Sequence, residues 1–404
     1  MHDVVIIGAG PAGSAAGHYL AKQGLDVLLL DKFDFPRDKT CGDALLPRAL
    51  GVLAEMDILD DLLRLGCRTS GLKIFAPRGH STVTPIPRQK EWPSHTLVVP
   101  RLTLDHIILE RAVASGAKFQ SPIHITDIEQ DVNGVVVKGG RRSRSVSVKA
   151  RLAIVATGAS PKLLLRLGLL KQTPPLMLAA RAYFEGVSGL NNHLDLHFEE
   201  VPLPGYGWVF PLPDSVANIG AGFLPKGQHG PATPAAAFEH FIQIPTLKEM
   251  LARAKQVGPV KGYPLRADFA TAPTFTERVI VVGEAAGLVN PLTGEGIDYA
   301  LESGKIAAEH LAGMFAAGDL SRQRLGEYDR LLRQRFQRLF VTCNWMRDLF
   351  MNRPMLNHLV RVSHRQADLK LLLINLILGN QNSSSGVSGK TVLKTLLTLA
   401  SGFR

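Results

Sequence analysis

Residues 8–13 read Gly-Ala-Gly-Pro-Ala-Gly, a G-x-G-x-x-G turn whose flanks leave the chain few options. Before it, Asp3 to Gly8 is a continuous apolar run. After it, Pro11 stands where a helix would begin, Ala15, Ala16, Tyr19 and Leu20 recur at helical spacing, and Gly24 closes the helix ahead of a second apolar run, Asp26 to Asp31. Strand, glycine turn, helix and strand make one βαβ unit. Gly8, Gly10 and Gly13 let the backbone approach a pyrophosphate, whose charge meets the unpaired N–H groups and positive end of the helix. Asp31 ends the second strand, close to the spacing at which a carboxylate reaches ribose hydroxyls. The unit predicts dinucleotide binding, and an acid at 31 disfavours a 2′-phosphate. It does not separate FAD from NAD.

At 404 residues, with 46% hydrophobic and 20% charged side chains, the chain is long enough for two or three domains and is neither disordered nor fibrous. Cys41, Cys67 and Cys343 lie far apart and form no C-x-x-C pair, so neither a disulfide framework nor a zinc site is expected; the histidines predict no metal site. There is no Gly-x-Ser-x-Gly nucleophile motif. The first apolar run begins at Val4, leaving no room for a cleavable leader, and no apolar stretch approaches the roughly 18 residues of a spanning helix; the longest is near Leu371 to Leu378. A cytoplasmic protein is expected.

The texture then changes along the chain. A helix is expected from Leu45 to about Leu65, another from Leu102 to Ser115, and a three-stranded meander over Ile123 to Ile154 with turns at Asn133-Gly134 and Gly139-Gly140. Strand-like pieces at Ala179–Gly186, His193–Glu199, Gly207–Pro211 and Ala217–Phe223 predict an antiparallel sheet, before Arg278 to Gly283 returns to the buried-strand pattern. The fold class is α/β: a Rossmann-like domain made of 1–70, 99–170 and 271–320, an inserted antiparallel-sheet substrate domain from 71–98 and 171–270, and a basic helical C-terminal region, 321–404. Residues 379–386 read as a linker and Lys390 to Ala400 as a last amphipathic stretch.

A second glycine-rich segment, Gly283-Glu-Ala-Ala-Gly-Leu-Val-Asn-Pro-Leu-Thr-Gly-Glu-Gly-Ile-Asp298, separates the cofactors. Here the chain resembles the flavoprotein superfamily of p-hydroxybenzoate hydroxylase, and more narrowly the geranylgeranyl reductases, which include menaquinone-tail reductases. The resemblance covers residues 1 to about 315. It implies FAD, with Glu284, where the family usually has aspartate, toward the ribityl or pyrophosphate region and Gly294, Gly296 and Ile297 against the isoalloxazine. Pro36-Arg-Asp-Lys-Thr-Cys41-Gly42-Asp43 resembles the reductases' cysteine-glycine loop beside the flavin, and Arg101 with Asp105 the superfamily's FAD-contacting arginine helix. Ala12, Lys32, Ala44 and Gly158 complete the expected cofactor contacts. Tyr206-Gly-Trp208-Val-Phe210-Pro211 matches the Y-x-W-x-F-P motif lining the reductases' prenyl pocket. Tyr206, Trp208 and Phe210 alternate along a strand and would share a face, as a substrate wall or as ordinary sheet core.

The implied reaction is hydride transfer from reduced FAD to a carbon-carbon double bond of a polyprenyl lipid, a geranylgeranyl group or a menaquinone side chain. Cys41, Tyr206 and Trp208 are the candidate catalytic residues, and the proton donor is Cys41, Tyr206 or an ordered water. The alternatives are an FAD-dependent monooxygenase or halogenase on an aromatic substrate, and a non-catalytic prenyl-lipid carrier. The halogenases' W-x-W-x-I-P element would need Trp and Ile where this chain has Tyr206 and Phe210. With no second G-x-G-x-x-G unit, electrons are expected from a transient donor: NAD(P)H, ferredoxin or a quinol.

Net charge is +11, and residues 321–370 hold eleven basic side chains against four acidic ones. Large apolar residues at helical spacing (Leu325, Tyr328, Leu332, Phe336, Leu339, Phe340) interleave with them, suiting a helix that faces an anionic membrane better than nucleic acid; a solvated helix face is the plainer alternative. A peripheral position on the inner membrane face is therefore expected.

Overall fold

The computed structural model describes residues 1–88, 92–141, 144–225, 233–363 and 366–379. Its first sheet has the order Lys118–Gln120, Val27–Leu30, His2–Ile7, Arg144–Val155, Gly134–Arg141, His124–Asp131, with Val279–Val281 pairing in parallel with the end of Arg144–Val155. Val4–Ile7, Val27–Leu30 and Ala153–Val155 are buried on both faces, which is why they read as unbroken apolar runs rather than alternating ones. Helix Pro11–Lys22 packs on the long helix Ile297–Ala317 at a close crossing: a Cβ on Gly304 would fall 2.4 Å from the Ala12 carbonyl oxygen.

The second sheet runs Lys255–Arg266, Leu176–Glu185, Val216–Phe223, Gly205–Leu212, His193–His197, Gly71–Phe75, Ser81–Pro85. One face is covered by helices Pro234–Phe241 and Pro245–Leu251 through Phe238, Phe241 and Leu247; the other carries Trp208 and Phe210 toward the first sheet's turns. A small third sheet joins Ala44–Leu45, Thr96–Val98 and Cys67–Thr69.

Several expectations need correction. The helix over 45–65 is two helices, Pro47–Glu55 and Leu59–Leu65, broken where Asp57 takes a left-handed φ of 57°. Gly139-Gly140 is not a turn: it lies inside strand Gly134–Arg141, where the register with His124–Asp131 shifts. The second sheet is mixed, because His193–His197 pairs in parallel with Gly71–Phe75. Strand Lys255–Arg266 has no alternating pattern, and its prolines fit because it is an edge.

After Ser321 the chain is helical: Arg322–Leu332, a π turn Arg333–Gln337, Arg338–Phe350, Arg353–Ser363 and Ala367–Ile377. Leu325, Tyr328, Leu332, Phe336, Leu339 and Phe340 do not face outward. All six pack into the core of the first domain, with Phe336 and Phe340 edge-on to Tyr299 and Phe269. Their helical spacing is an ordinary buried stripe. Most of the linker over 379–386 and the stretch Lys390 to Ala400 lie outside the described residues. Among the described residues no helix is long and apolar enough to cross a membrane.

Candidate active site

The glycine turn is shaped by contacts that admit no side chain. Gly8 has φ 105° and a Cβ there would sit 2.3 Å from the Ala156 carbonyl oxygen; on Gly13 it would sit 1.9 Å from that of Gly8. Gly10, by contrast, faces open space, with only the Arg37 guanidinium within reach of an added Cβ. Asp31 braces the turn by accepting from the Ala9 amide at 2.8 Å and the Phe33 amide at 2.9 Å. Each carboxylate oxygen keeps a lone pair for a hydroxyl donor.

This turn forms one end of a cleft of about 460 Å³ that runs between the two large sheets. The cleft brings together every expected site residue except two. Gly8, Gly10, Ala12, Asp31, Lys32, Cys41, Gly42, Asp43, Ala44, Arg101, Gly158, Tyr206, Trp208, Phe210, Glu284, Gly294, Gly296 and Ile297 all line it. Gly13 stands behind the turn, against Gly8. Pro211 is buried and does not line this cleft: it follows Phe210 on the strand, and successive residues face opposite ways.

The cofactor expectation can be tested on the cleft itself. Arg37 sits by the glycine turn, pairs with Asp105 at 3.1 Å, and leaves its buried Nε without a partner. An unpaired guanidinium N–H beside glycine amides fits a pyrophosphate. Arg101 is held by a two-pronged bond to Asp105 at 2.6 and 2.8 Å, so its orientation is locked. Glu284 is bridged to Lys39 at 3.2 Å and to the Arg266 amide at 3.3 Å, tying the second glycine segment to the cysteine loop. The residues present fit FAD.

Around Cys41 the loop is bound to the second sheet. Asn218 donates from Nδ2 to the Cys41 carbonyl and to the Asp43 carboxylate, both at 2.7 Å, and accepts from Trp208 Nε1 at 2.9 Å. Tyr183 donates to the same Asp43 oxygen at 2.6 Å, leaving Oδ1 buried without a partner. Asp43 is fully buried at a left-handed φ of 68°, and burial pushes its carboxyl up to about 6 despite those donors. Burial also raises the Cys41 thiol, outweighing the nearby Arg101 charge, so the sulfur keeps its proton at neutral pH.

Tyr206, Trp208 and Phe210 form a row with successive ring centroids 6.1 and 6.2 Å apart. A Cβ on Gly220 would lie 2.2 Å from the Trp208 ring, so the neighbouring strand makes room for it; a Cβ on Gly42 would meet Phe210 at 2.9 Å. The Tyr206 hydroxyl donates to the Thr293 carbonyl, and burial holds it neutral.

Past this row opens a second cavity of about 160 Å³, walled by Leu72, Leu194 and Leu196 of the sheet and by Met346, Phe350 and Leu359 of the C-terminal helices. Ala44, Tyr206, Phe210, Leu292 and Glu295 line both cavities. Sequence reasoning missed Arg37, Asn218, Tyr183 and Glu295. A polar residue inside the apolar strand Val216–Phe223 was the available signal for Asn218, and a charge wedged between Gly294 and Gly296 the signal for Glu295.

Comparison with known proteins agrees with this geometry. Residues 1–173 match the FAD binding domain family. The chain is similar to the menaquinone reductase of Mycolicibacterium smegmatis, 35% identical over 76% of this chain and 75% of that one. It is also similar to digeranylgeranylglycerophospholipid reductase 1 of Methanothermobacter thermautotrophicus, 30% identical over 82% of each. In fold it is similar to a geranylgeranyl bacteriochlorophyll reductase-like protein from Thermoplasma acidophilum, with a TM-score of 0.83 at 23% identity over 98% of this chain and 99% of that one. With about a third of its residues shared over three quarters of both chains, this protein belongs to the FAD-dependent reductase family that contains the menaquinone and digeranylgeranylglycerophospholipid reductases.

Proposed function

We propose that this protein is an FAD-dependent reductase that saturates carbon-carbon double bonds of a polyprenyl lipid. The observation that carries the reading is the junction of the two cavities. A glycine-built cleft that carries the charged side chains of Asp31, Arg37, Arg101 and Glu284 meets an apolar slot across an aromatic row, and five residues belong to both. A slot walled by leucine, methionine and phenylalanine suits an isoprenoid chain and offers few partners to a polar aromatic substrate. Relatives over most of the chain are named for menaquinone and for digeranylgeranylglycerophospholipid.

Bound FAD, once reduced, supplies a hydride to one carbon of the double bond. The chain's own residues do the rest. Gly8, Gly10, Arg37 and the start of helix Pro11–Lys22 would hold the pyrophosphate, and Asp31 would take the ribose hydroxyls. Gly42, Asp43, Ala44, Gly294, Gly296 and Ile297 would hold the ring. Tyr206, Trp208 and Phe210 hold the alkene and exclude water, with Asn218 fixing the Trp208 ring and the Cys41 loop in one piece.

A prenyl chain in a bilayer already enjoys the roughly 0.8 kcal/mol per CH₂ that burial offers, so drawing it through water would be prohibitive. The enzyme therefore docks at the membrane surface. The docking face is not the buried stripe but the outer side of the C-terminal helices, where Leu331, Val341 and Leu349 are exposed among Arg330, Arg338 and Arg353. A transient donor of the NAD(P)H, ferredoxin or quinol class supplies the electrons.

The test is a comparison of lipid extracts from cells with and without this protein. The reading expects quinones or other prenyl lipids to gain mass in steps of one H₂ when it is present. No shift in any prenyl pool, alongside an oxygenated product, would replace it with a monooxygenase.

A further inference from the structure

Adding hydrogen across an isolated double bond needs a proton as well as a hydride, and the site must keep that proton away from bulk water. Among the described residues, Glu295 is the carboxyl that lines both cavities; Asp31, Asp38, Asp43 and Glu284 line the first alone, as does Cys41. Tyr206 also lies at the junction, but its hydroxyl is committed to the Thr293 carbonyl.

We propose that Glu295 delivers the proton to the prenyl double bond, and that Asp298, buried in the first turn of helix Ile297–Ala317, restores it. The proposal rests on the prenyl-reductase reading above. Glu295 is fixed in place: Oε1 accepts from the Ile297 amide at 2.7 Å and the Asp298 amide at 3.2 Å. Both bonds go to Oε1, so Oε2 is the oxygen left to carry a proton.

Behind it, Asp298 is 2% exposed and its Oδ1 has no partner, so this carboxyl too has room for a proton. One turn further along the helix, Glu302 pairs with Arg48 at 3.1 Å and with Arg335, whose side chain is a third exposed. Glu302 thus follows Asp298 by four residues on the same helix and meets an arginine that reaches solvent. Burial raises Glu295, and burial followed by the proximity of Glu295 raises Asp298, because two close carboxyls cannot both ionise in a dry site. The other groups acting on the pair are Arg101 and Tyr206 around Glu295, and Arg48, Glu302 and Tyr299 around Asp298.

The step balances. The π bond breaks, one carbon takes the hydride with its electron pair from reduced FAD, and its neighbour takes the proton from Glu295. Glu295 is left as a carboxylate until the proton held at Asp298 passes to it and Asp298 is recharged past Glu302.

Glu295→Gln keeps the shape and can accept the same two backbone bonds, but carries no acidic proton. In the FAD-loaded protein, infrared spectra should lose the C=O stretch of a protonated carboxyl in this variant. Reoxidation of pre-reduced flavin by a menaquinone in detergent micelles should slow by about 10²–10⁴-fold, with the flavin spectrum unchanged. Reoxidation within about threefold of wild type, or an unaltered carboxyl band, would overturn the assignment. Should E295Q fail to hold flavin, Asp298→Asn decides. A wild-type first turnover with slowed later ones supports the relay, and unchanged steady-state turnover overturns it. If wild-type protein is reoxidised neither by the menaquinone nor by a digeranylgeranylglycerophospholipid, the prenyl-reductase reading itself fails, an outcome distinct from Glu295 being dispensable.

Discussion

Asn218 binds Asp43 across the cleft: its Nδ2 donates to the carboxylate at 2.7 Å, joining the second sheet to the loop that carries Cys41. The same side chain accepts from Trp208 and donates to the Cys41 carbonyl, so one buried amide ties the aromatic wall to the cysteine loop. Asn218→Ala leaves the indole N–H and the Asp43 oxygen short of partners in a dry site. The expected loss is about 2–4 kcal/mol of unfolding free energy, read from urea titration. A loss below about 0.5 kcal/mol would mean that water replaces the amide without penalty.

The raised Asp43 carboxyl makes stability depend on pH. Its native value of about 6 lies above the ordinary 3.8, so between these the folded protein holds a proton that the unfolded chain has released. Its contribution is therefore full below about pH 4 and is lost as pH rises through about 6, a change of roughly 3 kcal/mol at most. Asp43→Asn accepts the same two donors and tolerates the left-handed backbone, so it should flatten that slope in the apoprotein. An unchanged slope would assign the pH dependence elsewhere.

At the glycine turn, Gly13→Ala drives a methyl into the Gly8 carbonyl, and the folded protein should be purified colourless. Arg37→Ala removes the unpaired guanidinium N–H and should weaken FAD by about 1.5–3 kcal/mol, measured by calorimetry. Full FAD affinity in R37A would remove Arg37 from the pyrophosphate site.

The second cavity should set which chains fit. Leu359→Trp enlarges a wall residue far from the glycine turn. The expected outcome is a raised KM for long prenyl substrates with FAD affinity retained, at about 1–3 kcal/mol of overpacking strain. Equal KM for long and short chains would place the substrate elsewhere.

The first sheet and its turn were legible because their signals are local. A doubly buried strand reads as an apolar run, and a turn that admits no Cβ reads as glycine. Tyr206, Trp208 and Phe210 were legible as a shared face by strand alternation, yet which way that face turned was not. The network around Asp43 was opaque, since Tyr183 and Asn218 lie more than a hundred residues away from it and meet it only through the folded sheet. The basic region misled for a related reason: helical spacing announces an apolar stripe without saying what covers it, and Tyr299 and Phe269 cover this one. Two of its arginines serve the same packing, Arg333 reaching the Phe269 and Ala272 carbonyls and Arg335 reaching Glu302.

The most direct measurement is anaerobic single turnover. Protein loaded with FAD and reduced stoichiometrically is mixed with a menaquinone bearing an unsaturated side chain, and flavin absorbance is followed alongside product mass. The account predicts return of the oxidised flavin spectrum and one side-chain H₂ gained per flavin, with the deuterium of heavy water found at both new C–H bonds, because the N–H of reduced flavin exchanges with solvent before it is transferred as hydride. Flavin that stays reduced, or that reoxidises while the side chain keeps its mass, would contradict it.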